Sequence, residues 1–169
     1  MNQIQDAVVH IYNAARNNTI EPFLHSALDI VTRLVSVDFA YVSNGIATCT
    51  TQSPTRRADS VKKPDFRSEY EEVKMFDTRI EQLRKADGGV AAFHISRFFS
   101  DTADRIMLEF MRRYEHAHTL LGARFDRDGV IVAHLALIRS EECNRFNQRE
   151  LKVVRNVFPH VVEAIEVNK

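Results

Sequence analysis

The sequence predicts an α+β fold, with an antiparallel sheet of five to six strands flanked by helices and a long helix at the C-terminus. Three observations carry this expectation. FAYVSNGIATCTTQ, from Phe39, is rich in β-branched and aromatic residues around Asn44-Gly45, a two-residue hairpin signal. TLLGARFD and GVIVAHLALIR form a second strand pair joined at Arg127-Asp128, and Asp128-Gly129 supplies the positive φ of a tight hairpin. Segments of helical period lie between and around these hairpins, so helices pack on an antiparallel sheet.

Residues 4–16 place Ile4, Ala7, Val8, Ile11, Ala14 and Ala15 on one side of a first helix. Turn-forming asparagines and Pro22 in NNTIEP (17–22) interrupt it. A second helix repeats Leu24, Ala27, Leu28, Val31, Leu34 and Val35 at three- and four-residue steps. Strands are expected at 38–43 and 46–52, followed by a polar, basic surface loop over 53–65. Its Arg56, Arg57, Lys62 and Lys63 read as a solvated run rather than a phosphate site. One helix is expected over 66–85, with Tyr70, Val73, Phe76, Ile80 and Leu83 as its stripe, stopped by Gly88-Gly89. VAAFHIS (90–96) reads as a strand. Ser100 or Asp101 can cap the next helix, which carries Ile106, Leu108, Phe110 and Met111 to about Tyr114. Strands at 119–126 and 129–139 and a loop at 140–146 lead to the final helix, 147–169. A single domain, 1–169, is expected.

Composition narrows the function classes. Twenty-three lysines and arginines balance twenty-three aspartates and glutamates, so the chain lacks the basic footprint that direct nucleic-acid binding needs. Cys49 and Cys143 are too few and too far apart for a disulfide framework or a zinc site, and fit a reducing cytoplasm. No apolar run reaches the ~18 residues of a membrane span, and MNQIQDAVVH does not read as a signal peptide. A cytoplasmic protein with no membrane partner is expected.

The sequence contains no Gly-rich phosphate cradle, nucleophile elbow or HExxH helix. His116 and His118 could share a metal on an extended segment, but no third ligand is suggested, and no metal site is expected. His94 and His134 fall within strands and read as partly buried histidines with one hydrogen bond each. Asp77 and Arg79 read as a surface ion pair, worth little. DRDG lacks the length and ligands of a calcium loop and reads as a turn. Nothing pairs an activated nucleophile with a base, so no catalytic residues, cofactor or enzyme activity are expected.

The final helix is more informative. Leu151, Val154, Phe158, Val161 and Ile165 form one apolar stripe, and Val153, Val157, His160, Ala164 and Val167 a second beside it. Together they cover roughly 200°, wider than the stripe that packing on one core requires. One stripe is expected to meet the chain's own domain and the other its copy in a homodimer. The alternative is that the first two helices cover both. Pro159 lies on the polar side, where its kink would bend the helix around whatever the stripes contact.

GARFDRDGVIVAHLALIRSEECNRFNQRELKVVRNVFPHVVEAIE resembles the end of the sensory domain in a group of LuxR-type transcriptional regulators, which carry a GAF-like or PAS-like domain ahead of a DNA-binding helix-turn-helix. The matching features are the Gly-Ala strand, the Asp-Gly hairpin, Arg139, Phe146 and the step Phe158-Pro159-His160-Val161 followed by Ala164. SEYEEVKMFDTRI (68–80) is similar to the family's Tyr…Asp-Pro-Arg segment, with Thr78 where proline is usual. The resemblance implies a GAF/PAS-like sheet, a small-molecule ligand, and signalling through Leu151, Val154, Phe158, Val161 and Ile165. It implies contact with DNA only through a helix-turn-helix not present in this sequence. The lactone-binding branch uses tryptophans, and this chain has none, which argues against a lactone autoinducer. Ligand contacts are expected from Phe39, Tyr41, Tyr70, Phe76, Asp77 and Phe93. Two alternatives are a stand-alone dimerisation module without ligand, and a GAF-fold thiol redox enzyme in which Cys49 and Cys143 would have to meet.

Overall fold

Six helices and a five-stranded antiparallel sheet make up the described part of the chain. The computed structural model describes residues 2–52, 66–95 and 104–168. Helices α1 (Gln3–Asn17) and α2 (Ile20–Leu34) precede strands β1 (Phe39–Ser43) and β2 (Thr48–Gln52). Helices α3 (Phe66–Val73) and α4 (Arg79–Lys85), strand β3 (Val90–His94) and helix α5 (Arg105–Arg113) follow. Strands β4 (His118–Phe125) and β5 (Ile131–Arg139) and helix α6 (Gln148–Val167) complete the order. The sheet runs β2-β1-β5-β4-β3, and every neighbouring pair is antiparallel. The expected basic loop at 53–65 and the caps at Ser100 or Asp101 lie outside the described residues.

Both hairpins form where expected, with longer turns than two residues. Asn44 Oδ1 accepts from the amides of Ile46 and Ala47 at 3.1 and 2.7 Å, so the turn holds four residues and β2 begins at Thr48. Between β4 and β5, Asp126 Oδ1 accepts from the amides of Asp128 and Val130, both at 2.9 Å, and Gly129 takes φ 80°. In both turns a side-chain carboxyl or amide replaces the backbone contacts of a tighter hairpin.

The single helix expected over 66–85 is broken. A 3-10 turn at Lys74–Phe76 ends α3, and Asp77, at φ −84° and ψ 89°, leaves the helical region. Its Oδ1 accepts from the amide of Arg79 at 3.1 Å, a local bond that competes with helix continuation. The break turns Phe76 out of the expected stripe, leaving it 37% exposed. On α5 the buried residues are Met107, Phe110 and Met111, whereas Ile106 of the expected stripe is exposed.

Strand alternation divides the sheet into two faces. Ala40, Val42, Cys49, Val90, Leu120, Leu135 and Leu137 pack against α1, α2 and α6. Phe39, Tyr41, Phe93, Leu121, Ala123, Ala136 and Ile138 form the opposite face, joined by Leu83 of α4. Phe66 of α3 and Met107, Phe110, Met111 and Tyr114 on and after α5 build the cover over this second face.

Helix α6 opens on a capping box, in which Asn147 and Glu150 each accept the other's amide at 2.9 Å. It continues unbroken through Pro159, which is exposed and leaves the Arg155 carbonyl without its helical donor. Leu151, Val154, Phe158, Val161 and Ile165 are all buried within the chain, as are Val157 and Ala164 of the second stripe. The second stripe continues at its edge onto α1, where the Tyr12 hydroxyl meets His160 Nδ1 at 3.1 Å and donates to Glu163. Asn168 donates to the carbonyls of Ala15 and Asn18, both at 3.1 Å, fastening the end of α6 to the α1–α2 turn. Within the chain, α1, α2 and the sheet cover most of both stripes. Only Val167 of that stripe is largely exposed, at 75%.

Gly89 shows how closely the β3 entry approaches β4. It takes φ 68°, and a Cβ there would lie 2.3 Å from the Ala123 carbonyl oxygen. Gly89→Ala is expected to destabilise the fold by more than about 1 kcal/mol in urea unfolding, whereas Gly88→Ala, which meets open space, should be milder.

Candidate functional site

The chemistry-bearing side chains gather on the sheet face under α3, α4 and α5. The break at Asp77 places its carboxylate beneath α3 and turns Arg79 inward at the start of α4. Arg79 donates to Asp77 through Nε and Nη2, both at 2.8 Å, and through Nη1 to Thr119 of β4 at 3.3 Å. The Tyr70 hydroxyl donates to Asp77 Oδ2 at 2.8 Å. The ion pair is buried, with side-chain exposures of 6% for Arg79 and 1% for Asp77. The expectation of a surface pair is thus corrected: the helix break carries both residues inward, where solvent screening no longer weakens them.

Electrostatics follow from this burial. Desolvation alone would raise the Asp77 pKa, but the Arg79 hydrogen bonds and charge, with Tyr70, outweigh it and hold the carboxyl below its ordinary value. Burial and the Asp77 charge push the Tyr70 phenol upward, and burial takes Tyr41 to about 12. Both tyrosines stay protonated at neutral pH.

His134 on β5 is the site's unpaired polar group. Its ring lies 5.3 Å from Tyr41, and its Nε2 is shielded from solvent with no hydrogen-bond partner among the described residues. The one hydrogen bond expected for a strand histidine is absent at that nitrogen. An unsatisfied buried polar atom costs about 1–3 kcal/mol. Burial, then the Arg79 charge, lowers the His134 pKa to about 4. Because this folded value lies below the ordinary ~6.5, the unfolded chain binds the extra proton first. Stability should therefore hold above about pH 6.5 and fall by on the order of 3 kcal/mol toward pH 4. Urea unfolding across that window tests this, and His134→Leu should flatten the slope.

Of the expected ligand contacts, Tyr41, Tyr70 and Asp77 converge on this site. Phe39 lies beside it, with ring centroids 6.4 Å from Tyr41 and 6.1 Å from His116. Phe93 is on the same sheet face, on edge strand β3. Phe76 is not gathered in, because the 3-10 turn points it outward. Nothing in the sequence marks Phe66 or Thr119 as site residues, and Arg79 reads there only as half of a surface ion pair and His134 only as a strand histidine with its hydrogen bond made. The signal for His134 was available: it sits two residues before Ala136, so the two share a strand face.

The other candidates are structurally engaged. His116 lies in the aromatic cluster, 4.7 Å from Phe66, while His118 stacks on His94 at 4.6 Å, with both its ring nitrogens buried and without a side-chain hydrogen bond among the described residues. No group of three or more metal-ligating side chains occurs among the described residues. Cys49 faces α2 and its thiol donates to the Glu21 carbonyl at 3.6 Å, with its pKa raised by burial. Cys143 donates to Asp38 Oδ2 at 3.3 Å. Arg139 ties β5 to α6: it donates to the Ser36 carbonyl at 2.8 Å and to Glu150 at 2.6 and 3.2 Å, and lies 4.2 Å over the Phe146 ring. Two open grooves lie away from Tyr41 and Asp77, about 480 Å³ beside Arg112 and Ser140 and about 320 Å³ between Arg84 and Pro159. No helix among the described residues is long and apolar enough to cross a membrane.

No protein-family model matches the chain, and no curated protein matches its sequence. Among solved structures it is similar to the GAF3 domain of Slr1393 from Synechocystis sp., in its photoproduct state, at 14% identity and a TM-score of 0.49 over 94% of each chain. It is also similar to CepR2 from Burkholderia cenocepacia, an N-acylhomoserine lactone dependent LuxR-family transcription factor, at 10% identity and a TM-score of 0.57. That match covers 96% of this chain and 93% of the other, so the two share a fold across nearly their whole lengths.

Proposed function

We propose that the chain is the ligand-sensing regulatory domain of a bacterial LuxR-type transcriptional regulator, signalling through α6. In this reading it is not an enzyme, and any contact with DNA belongs to a separate helix-turn-helix segment. The carrying observation is His134 Nε2, buried without a partner beside the Asp77–Arg79–Tyr70 set on the sheet face opposite α6. Buried polar atoms without partners are rare enough to point to a missing group. The fold shared with a LuxR-family protein supports the same reading.

The route to α6 is short. Thr119, which receives Arg79, lies on β4 three residues before Gly122, and a Cβ at Gly122 would sit 3.1 Å from the Phe158 ring of α6. Arg139 likewise links the end of β5 to Glu150 in the first turn of α6. A ligand that shifts β4 or β5 has differential contacts through which to bias α6, as any population shift requires. In this reading, signalling runs through this packing of the sheet on α6.

A thermal-shift screen of uncharged and charged metabolites, including acyl lactones, tests the reading. A ligand at a hundred times its Kd should raise Tm by about 5–10 °C, and Tyr41→Ala should remove that gain. No stabilising metabolite of any class would leave the chain a ligand-free module.

A further inference from the structure

We infer that the ring of Phe66 occupies, from within the chain, the seat of an uncharged aromatic ligand that carries a hydrogen-bonding group. The inference rests on the sensing reading and names its ligand class. Phe66 is held in a cage of five rings. Its centroid lies 6.4 Å from Tyr41, 5.8 Å from Tyr70, 5.2 Å from Phe110, 5.0 Å from Tyr114 and 4.7 Å from His116.

Most of the cage is firm and its occupant is not. Phe110, Tyr114 and His116 are 2%, 8% and 7% exposed, and Tyr41 stands on a central strand. Phe66 is only half-buried and is the first residue of α3, a helix with no fully buried residue. Elements with few buried contacts open locally at low free energy, so the first turn of α3 can fray and lift Phe66 out while Tyr70, one turn on, keeps its bond to Asp77. The vacated space suits a flat ring, since aromatic walls favour offset and edge-on aromatic partners.

The polar surroundings set the rest of the ligand. Asp77 already accepts from the Arg79 amide, Nε and Nη2 and from Tyr70, which fills both carboxylate oxygens. The Arg79 charge is matched by the same carboxylate, leaving no unbalanced charge for an ionic ligand. Beyond Tyr41, His134 Nε2 still needs a partner. The Phe66 ring has no polar atom to give it. In this inference the ligand ring sits where Phe66 does, 6.4 Å from Tyr41, and its O–H, N–H or carbonyl reaches past Tyr41 to His134, 5.3 Å beyond.

The test uses the full chain with indole and phenol as probes, against toluene, benzoate and tetramethylammonium, read by calorimetry and thermal shift. Indole or phenol should bind the native chain, and Phe66→Ala should bind them at least tenfold more tightly. His134→Leu should weaken indole and phenol about tenfold and leave toluene unchanged. If Phe66→Ala does not fold, Phe66→Leu replaces it with the same expectation. The inference is overturned if neither probe binds the native chain at millimolar concentration. It is equally overturned if toluene gains as much as phenol while His134→Leu changes nothing, or if a charged probe is preferred. Binding of an acyl lactone in place of the aromatic probes defeats this ligand class but keeps the sensing reading. Binding of indole with no change in α6 hydrogen exchange keeps the ligand class and defeats the sensing reading.

Discussion

Arg79→Ala is expected to lower the unfolding free energy by about 3–5 kcal/mol, the effect of stripping one partner from a buried ion pair. The reason lies in what remains. Asp77 would keep its charge at 1% side-chain exposure with only Tyr70 and one backbone amide to solvate it. A domain of this size is stable by about 5–15 kcal/mol, so the loss should be plain in urea unfolding. Arg79→Met with Asp77→Leu should recover much of it, because removing both charges removes the desolvation penalty as well. The pH dependence has a definite sign. The Asp77 pKa is depressed in the folded chain, so its stabilisation is present above the unfolded value of ~3.9 and lost as pH falls through the lower folded value. Acid should therefore act in two stages, with His134 lost first and Asp77 later.

Phe158→Ala should cost a similar amount, about 3–5 kcal/mol, by leaving a cavity where α6 crosses the sheet. Phe158 is 2% exposed and lies on Gly122, whose missing side chain makes room for the ring. That contact cannot collapse readily, because β4 is held on both sides by β3 and β5. Val167→Ser is the contrast: at 75% exposure it should change stability by less than about 0.5 kcal/mol. Chemical denaturation of the two variants side by side checks the packing assignment of α6.

The fold was legible wherever period and turn chemistry agreed. Asn44 and Asp128-Gly129 marked both hairpins. The α6 stripe was read correctly as apolar contact, but the residues that cover it come from α1 and α2, which lie 114 or more positions earlier in the chain. Periodicity reports how wide a face is and not which element meets it. The helix at 66–85 failed for a local reason. Asp77 bonds the Arg79 amide, and a three-residue turn then rotates Phe76 outward and Arg79 inward. A stripe drawn through that point therefore chose the wrong aromatic. Phe66 was passed over because it stands at the first turn of its helix, where helical spacing has no preceding residue to match.

Amide hydrogen exchange across α6, with and without indole or whichever metabolite raises Tm, tests the account most directly. The account predicts that ligand changes protection across Gln148–Val167, strongest around Phe158 where the helix meets Gly122, together with altered protection of α3. Ligand binding that alters α3 and leaves every amide of α6 unchanged would contradict it.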